Sequence, residues 1–128
     1  MLEITSLYAV PMGGLMFILW LNVTKTRANQ GVSIGDNNDP ALLEKIRRHG
    51  NFIEWVPMVL LMMSIAELRG GNGMGLHAAG ILLVVSRFAH PFGLKHDNPA
   101  HVLRIVGNSG SLLALVISVV LIVISHLS

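Results

Sequence analysis

The chain has no cysteine among its 128 residues. Disulfides, a thiol nucleophile of its own and thiolate-held metals are therefore excluded, and sulfur chemistry would need a sulfur carried in by a ligand. Charge is scarce too: Asp, Glu, Lys and Arg together make 12% of the chain against 52% hydrophobic residues. Residues 4–24 and 105–127 contain none of these four charged types, and each stretch is long enough to cross a hydrocarbon core of roughly 30 Å. A basic segment before the first apolar run is also missing. Glu3 stands there instead, and the run is longer than the core of a signal peptide, so it reads as a retained span. There is no internal repeat and no low-complexity tract.

What is present fills the chain with helices. Residues 50–68 are apolar except for Glu54 and Glu67, and residues 70–86 carry no acidic or strongly basic side chain, a span that reaches full length only by continuing through Arg87 and Phe88. The composition leaves no room for a separate soluble domain. The expected fold is all-α: a single integral membrane domain, residues 1–128, forming a four-helix bundle with helices near 4–24, 40–68, 72–90 and 103–127. Gly70-Gly71-Asn72-Gly73 is a tight turn that makes helices two and three antiparallel neighbours. Asp39-Pro40 reads as an N-cap followed by proline at the first helical position. A helix from there to Leu68 would be about 43 Å long, so its first turns stand out of the bilayer. Lys25, Arg27, Lys45, Arg47 and Arg48 flank the first connection and Arg87, Lys95 and Arg104 the third, against Arg69 alone on the other side. This bias places connections one and three in the cytoplasm and both termini on the non-cytoplasmic side.

Inside the second span, Arg47, Asn51 and Glu54 fall at i, i+4 and i+7, which puts a cation, an amide and a carboxylate in one stripe. Arg87 and His90, at i and i+3, precede Pro91, which is expected to end or kink helix three. Arg104 opens helix four. All six reach one membrane level near the basic side. One reading is that Glu54 pairs with an arginine while the other cations reach for headgroups. The other is a built site, because burying this many polar groups for structure alone is costly. Guanidiniums, an amide and one carboxylate suit a small zwitterion: arginine clamps carboxylates bidentately, and Glu54 accepts from an ammonium. A ligand thiol beside Arg104 would be driven toward the thiolate, the nucleophilic form.

Other signals carry less. Gly107 with Ser111, Gly110 with Ala114 and Gly75 with Ala79 are small residues at i, i+4 that let membrane helices approach closely, within a chain or between subunits. Residues 31–35 match G-x-S-x-G, but they join two membrane helices rather than a strand and a helix, which argues against a serine hydrolase. His90, His96 and His101 have neither an i, i+4 partner nor a carboxylate set nearby in sequence, so no metal site is expected. Residues 36–39 lack the glycine and distal glutamate of a calcium loop and read as a turn and helix cap.

The run Arg47 to Glu54 followed by Trp55-Val56-Pro57, with Ser86-Arg87-Phe88-Ala89-His90 and then Arg104, resembles the superfamily of membrane-associated proteins in eicosanoid and glutathione metabolism (MAPEG), in its short prokaryote-like branch. The resemblance extends over nearly the whole chain. It implies a homotrimer of left-handed four-helix bundles that takes glutathione as cosubstrate between adjacent subunits near the cytoplasmic face. The implied activity is that of a membrane-bound transferase or peroxidase, turning the glutathione thiol against hydrophobic electrophiles or lipid hydroperoxides drawn from the bilayer. By position, the resemblance makes Glu54 the contact for the γ-glutamyl amino group, Asn51, Arg47 and His90 those for the peptide and its carboxylates, Arg87 a support of the pocket, and Arg104 the catalytic group at the thiolate. Arg27 is a further candidate for the carboxylate clamp. No metal or nucleic-acid partner is implied.

The chain also departs from the pattern. Gly50 stands where glutathione-using members carry a further arginine, Leu94 occupies the place of a tyrosine, and Ile105 replaces a hydroxyl residue next to Arg104. These departures argue against prostaglandin- or leukotriene-type activity. Two alternatives remain open: a non-catalytic member of the family that binds lipid or glutathione as a scaffold, and a small multidrug-type transporter subunit built round one membrane carboxylate. The second wants its carboxylate near the midplane, whereas Glu54 lies near the interface among arginines.

Overall fold

The computed structural model describes residues 1–127. Its elements are four helices, α1 (Glu3–Gln30), α2 (Pro40–Leu68), α3 (Gly73–Gly93) and α4 (Val102–Leu127), with no strand among the described residues. Length and composition allow α1, α2 and α4 to cross a membrane. At 21 residues, α3 is the shortest, about 32 Å at helical rise, and the polar residues of its C-terminal half face inward: Ser86, Arg87 and His90 are all buried. It packs along α4 and touches α1 and α2, while α2 also packs on α1 and α4; α1 and α4 do not meet.

Local chemistry sets most helix ends. Asp39 caps α2, accepting from the Ala41 N–H at 2.9 Å with Pro40 behind it. Asn72 does the same for α3 through the Gly75 N–H. Gly31, at φ 65°, closes α1 in the left-handed conformation that glycine adopts without strain. Two ends run past the expected boundaries. Helix α1 continues from Thr24 to Gln30 because residues 25–30, all polar but Ala28, leave the bilayer without leaving the helix; Thr26 Oγ1 bonds back to the Asn22 carbonyl and receives Lys45 Nζ from α2. Helix α3 passes through Pro91 to Gly93, and the Leu94 N–H still reaches the His90 carbonyl at 3.0 Å.

The start of α1 has no side-chain cap of its own. Glu67, at the far end of α2, supplies one: its two carboxylate oxygens accept from the Ile4 and Thr5 N–H groups, both at 2.8 Å. An anion at a helix N-terminus satisfies orphan donors and meets the positive end of the helix dipole. That explains the second carboxylate in an otherwise apolar stretch.

The buried seam repeats in steps of three and four along each helix. On α2 it is Phe52, Val56, Val59, Met63 and Ala66; on α3 Leu76, Ala79, Leu83 and Ser86; on α4 Gly107, Ser111, Ala114, Ser118 and Leu121. This 3.5-residue spacing keeps one stripe facing its neighbours over many turns, as in left-handed bundles. Lipid tails are as apolar as the side chains, so helix association rests on close packing and interhelical hydrogen bonds. The small residues of α4 serve that purpose inside the chain. A β-carbon on Gly107 would lie 2.5 Å from His90 Cβ, and one on Gly110 would lie 2.7 Å from Ser86 Cβ. Between these contacts, Ser86 and Ser111 share a buried hydrogen bond of 2.9 Å.

Candidate functional site

The six polar residues expected to form a site lie toward one end of the bundle, where α1 and α3 end and α2 and α4 begin. A cavity of about 260 Å³ opens there. Arg47 and Asn51 from α2, His90 from α3 and Arg104 from α4 line it. Four of the six expected residues therefore converge across three helices.

The other two stand apart, for different reasons. Arg87 is 1% exposed and lies behind the cavity wall. Its Nη1 donates to Asn51 Oδ1 at 2.8 Å and its Nη2 to the Gly107 carbonyl at 2.5 Å. A guanidinium only donates, so Asn51 must present its oxygen to Arg87, which leaves the Asn51 amide N–H groups for a ligand. Arg87 thus positions Asn51 and ties α3 to both α2 and α4. Glu54 is outside the cavity, on the bundle surface. Its carboxylate lies 3.7 Å from the Arg47 guanidinium, and both side chains are 56% exposed. The α2 seam explains this placement. Glu54 is two residues from the buried Phe52 and two from the buried Val56, and at about 100° per residue it points away from the core.

Sequence reasoning missed part of the wall. Leu43, Glu44, Leu94, Lys95, His96 and Asn108 complete it. Helical spacing could have suggested two of these, because Glu44 precedes Arg47 by three residues and Asn108 follows Arg104 by four. The residues of the α3–α4 loop could not be placed in that way. Arg48 donates to the Leu94 carbonyl from both Nε and Nη2, at 3.3 and 3.0 Å, and also pairs with Glu44 at 2.7 Å. Glu44 Oε1 accepts from the His96 backbone N–H at 3.1 Å and meets His96 Nδ1 at 3.0 Å. Arg104 Nη1 reaches the Pro99 carbonyl at 3.4 Å. The loop is fixed to α2 on one side and α4 on the other.

Electrostatically the wall is cationic. Arg47, Lys95 and Arg104 face the cavity, whereas its one carboxylate, Glu44, already has partners in Arg48 and His96. Two buried polar atoms, His90 Nε2 and Asn108 Oδ1, complete no hydrogen bond of ordinary geometry among the described residues. Such a lining suits a ligand with carboxylates and additional polar groups. Glu44, His96 and Asp97 do bring three possible metal-ligand atoms within 4.8 Å of one another, a carboxylate set for His96 that sequence spacing did not reveal. Arg48 and the His96 hydrogen bonds satisfy Glu44 without a metal ion. Arg27 is not part of this wall; its Nη1 holds the Ser33 carbonyl at 3.2 Å and orders the α1–α2 connection.

Comparison with known proteins agrees with this architecture. The inner membrane protein YecN of Escherichia coli strain K12 is 31% identical over 93 residues, covering 73% of this chain and 71% of that protein. The protein of the same name from E. coli O6:H1 matches to the same extent. The model of the MAPEG family matches residues 5–124, and with these relatives and three helices able to span a bilayer, the chain is an integral membrane protein belonging to the MAPEG family.

Proposed function

We propose that this protein binds glutathione in the cationic cavity and activates its thiol against a hydrophobic electrophile or lipid hydroperoxide entering from the bilayer. The observation that carries the reading is the convergence of Arg47, Asn51, His90 and Arg104 on one cavity, with Asn51 oriented by the buried Arg87. Arg47 clamps a carboxylate, Asn51 donates to the peptide, and His90 supplies a buried ring nitrogen. Arg104 holds the thiolate, so the thiol proton passes to water. In transfer, the sulfur forms a bond to carbon as the leaving group departs. In peroxide reduction, two thiols become a disulfide while the hydroperoxide becomes an alcohol and water.

The Arg47–Glu54 pair extends the proposal to the assembly. Glu54 does not line its own chain's cavity, so a role at the ligand ammonium calls for an adjacent subunit whose cavity it completes. A homotrimer, as the family resemblance implies, provides one. The excess of basic residues at this end supports a cavity on the cytoplasmic side of the membrane.

The test is to titrate glutathione into detergent-purified protein near pH 7 while following thiolate absorbance in the ultraviolet. A saturable rise that is lost in Arg104→Ala supports thiol activation. Binding without a rise supports a non-catalytic, ligand-binding member of the family, and absence of binding overturns the assignment.

A further inference from the structure

The loop between α3 and α4, residues 94–101, is short, polar and anchored at several points. Lys95 and Asn98 form an isolated antiparallel bridge that folds it on itself. Arg48 and Glu44 bind its first turn, and Arg104 binds its Pro99 carbonyl. A loop that only connected two helices would need none of these long-range bonds. Here they bring Lys95 and His96 onto the cavity wall that Arg47 also lines.

Among the described residues no carboxylate lies within ion-pairing distance of Lys95, in contrast to Arg48 and Arg47, whose partners are Glu44 and Glu54. Its ammonium is an uncommitted cation at the cavity mouth. Glu44, the one acidic group of the wall, is turned to the loop: it accepts from the His96 backbone and ring and from Arg48, which in turn holds the Leu94 carbonyl. A single carboxylate thus fixes the residues on both sides of Lys95.

We infer that the α3–α4 loop is a second recognition arm of the cavity, in which Lys95 receives a carboxylate of the thiol peptide and Glu44 is the positioning residue that holds the arm against α2. The inference rests on the glutathione reading above and adds a specificity element to it: the preferred thiols are those with a free carboxylate at the loop side. Neutral thiols of the same length enter the same cavity but lose the Lys95 contact.

The experiment compares the binding of glutathione and of glutathione diethyl ester, which keeps the thiol and lacks the carboxylates, to the intact detergent-solubilised protein. Wild type favours the free acid. Lys95→Met reduces that preference roughly fivefold, the scale of one partly exposed ion pair, and Lys95→Arg restores it. Glu44→Gln lowers it in the same direction, and trypsin cuts faster after Lys95. Glutathione slows that cleavage in wild type more than the diester does. An unchanged acid-to-ester preference in Lys95→Met overturns the loop assignment and leaves the glutathione reading standing. Wild type that binds neither compound overturns both.

Discussion

Arg87 holds the side-chain oxygen of Asn51 at 2.8 Å from a fully buried position, and no carboxylate pairs with it among the described residues. The Asn51 amide is therefore the polar link between a buried cation and the cavity. Asn51→Asp separates its two roles. The aspartate still accepts from Arg87 and gains a charge-assisted bond, so thermal stability is kept or raised. It also removes both amide donors and adds a negative charge among ligand carboxylates, so glutathione affinity falls by about tenfold or more. Calorimetric binding together with thermal unfolding checks both outcomes. Asn51→Ala leaves Arg87 short of a partner and costs roughly 1.5–3 kcal/mol.

Two glycines near the site are expected to respond in opposite ways. A β-carbon on Gly107 meets His90 Cβ at 2.5 Å and Cα at 2.9 Å, and the Gly107 carbonyl also receives Arg87. Gly107→Ala must separate α3 from α4 at the cavity and costs about 1–3 kcal/mol. At Gly50 the nearest atom to an added β-carbon is Arg47 Nη1 at 3.8 Å. Gly50→Ala is therefore neutral or stabilising, by up to about 1 kcal/mol from helix propensity. Unfolding curves in detergent distinguish the two; a destabilised Gly50→Ala would contradict the open space seen there.

These contrasts show what the sequence could and could not convey. Four apolar segments and the Arg47, Asn51 and Arg104 positions were legible because hydropathy and helical spacing are local properties. The helix boundaries erred where hydropathy and helicity part company, at residues 25–30 and beyond Pro91. The small residues of α4 could have served either subunit contacts or internal packing, and the approach of Gly107 to His90 and of Gly110 to Ser86 shows that they pack α3 on α4. The place of Lys95, His96 and Glu44 on the cavity wall went unseen because the loop is held by bonds across 46 and 52 positions. Glu54 shared a stripe with Arg47, but which way that stripe faced depended on the Phe52–Val56 seam.

Glu67 provides a control at the opposite end of the bundle. Glu67→Ala removes the acceptors of the Ile4 and Thr5 N–H groups and costs about 1 kcal/mol, the usual loss of a helix cap. Amide exchange at the first turn of α1 rises, while the proposed binding of glutathione is unchanged because the cavity is at the other end. Loss of binding in this variant would show that the two ends are coupled through α2.

The surface carboxylate gives the sharpest test of the assembly. Within one chain, Glu54 and Arg47 form a half-exposed pair at 3.7 Å, and such pairs contribute little to stability. Glu54→Ala should therefore leave the fold and the proposed trimer intact. If an adjacent subunit's ligand uses that carboxylate, the same substitution abolishes glutathione binding. Native mass spectrometry and a binding titration on one preparation measure both properties. Unchanged affinity would mean that Glu54 only neutralises Arg47 and that each cavity is complete within its own chain. Dissociation of the oligomer would instead make Glu54 an interface residue, with any loss of binding secondary to it.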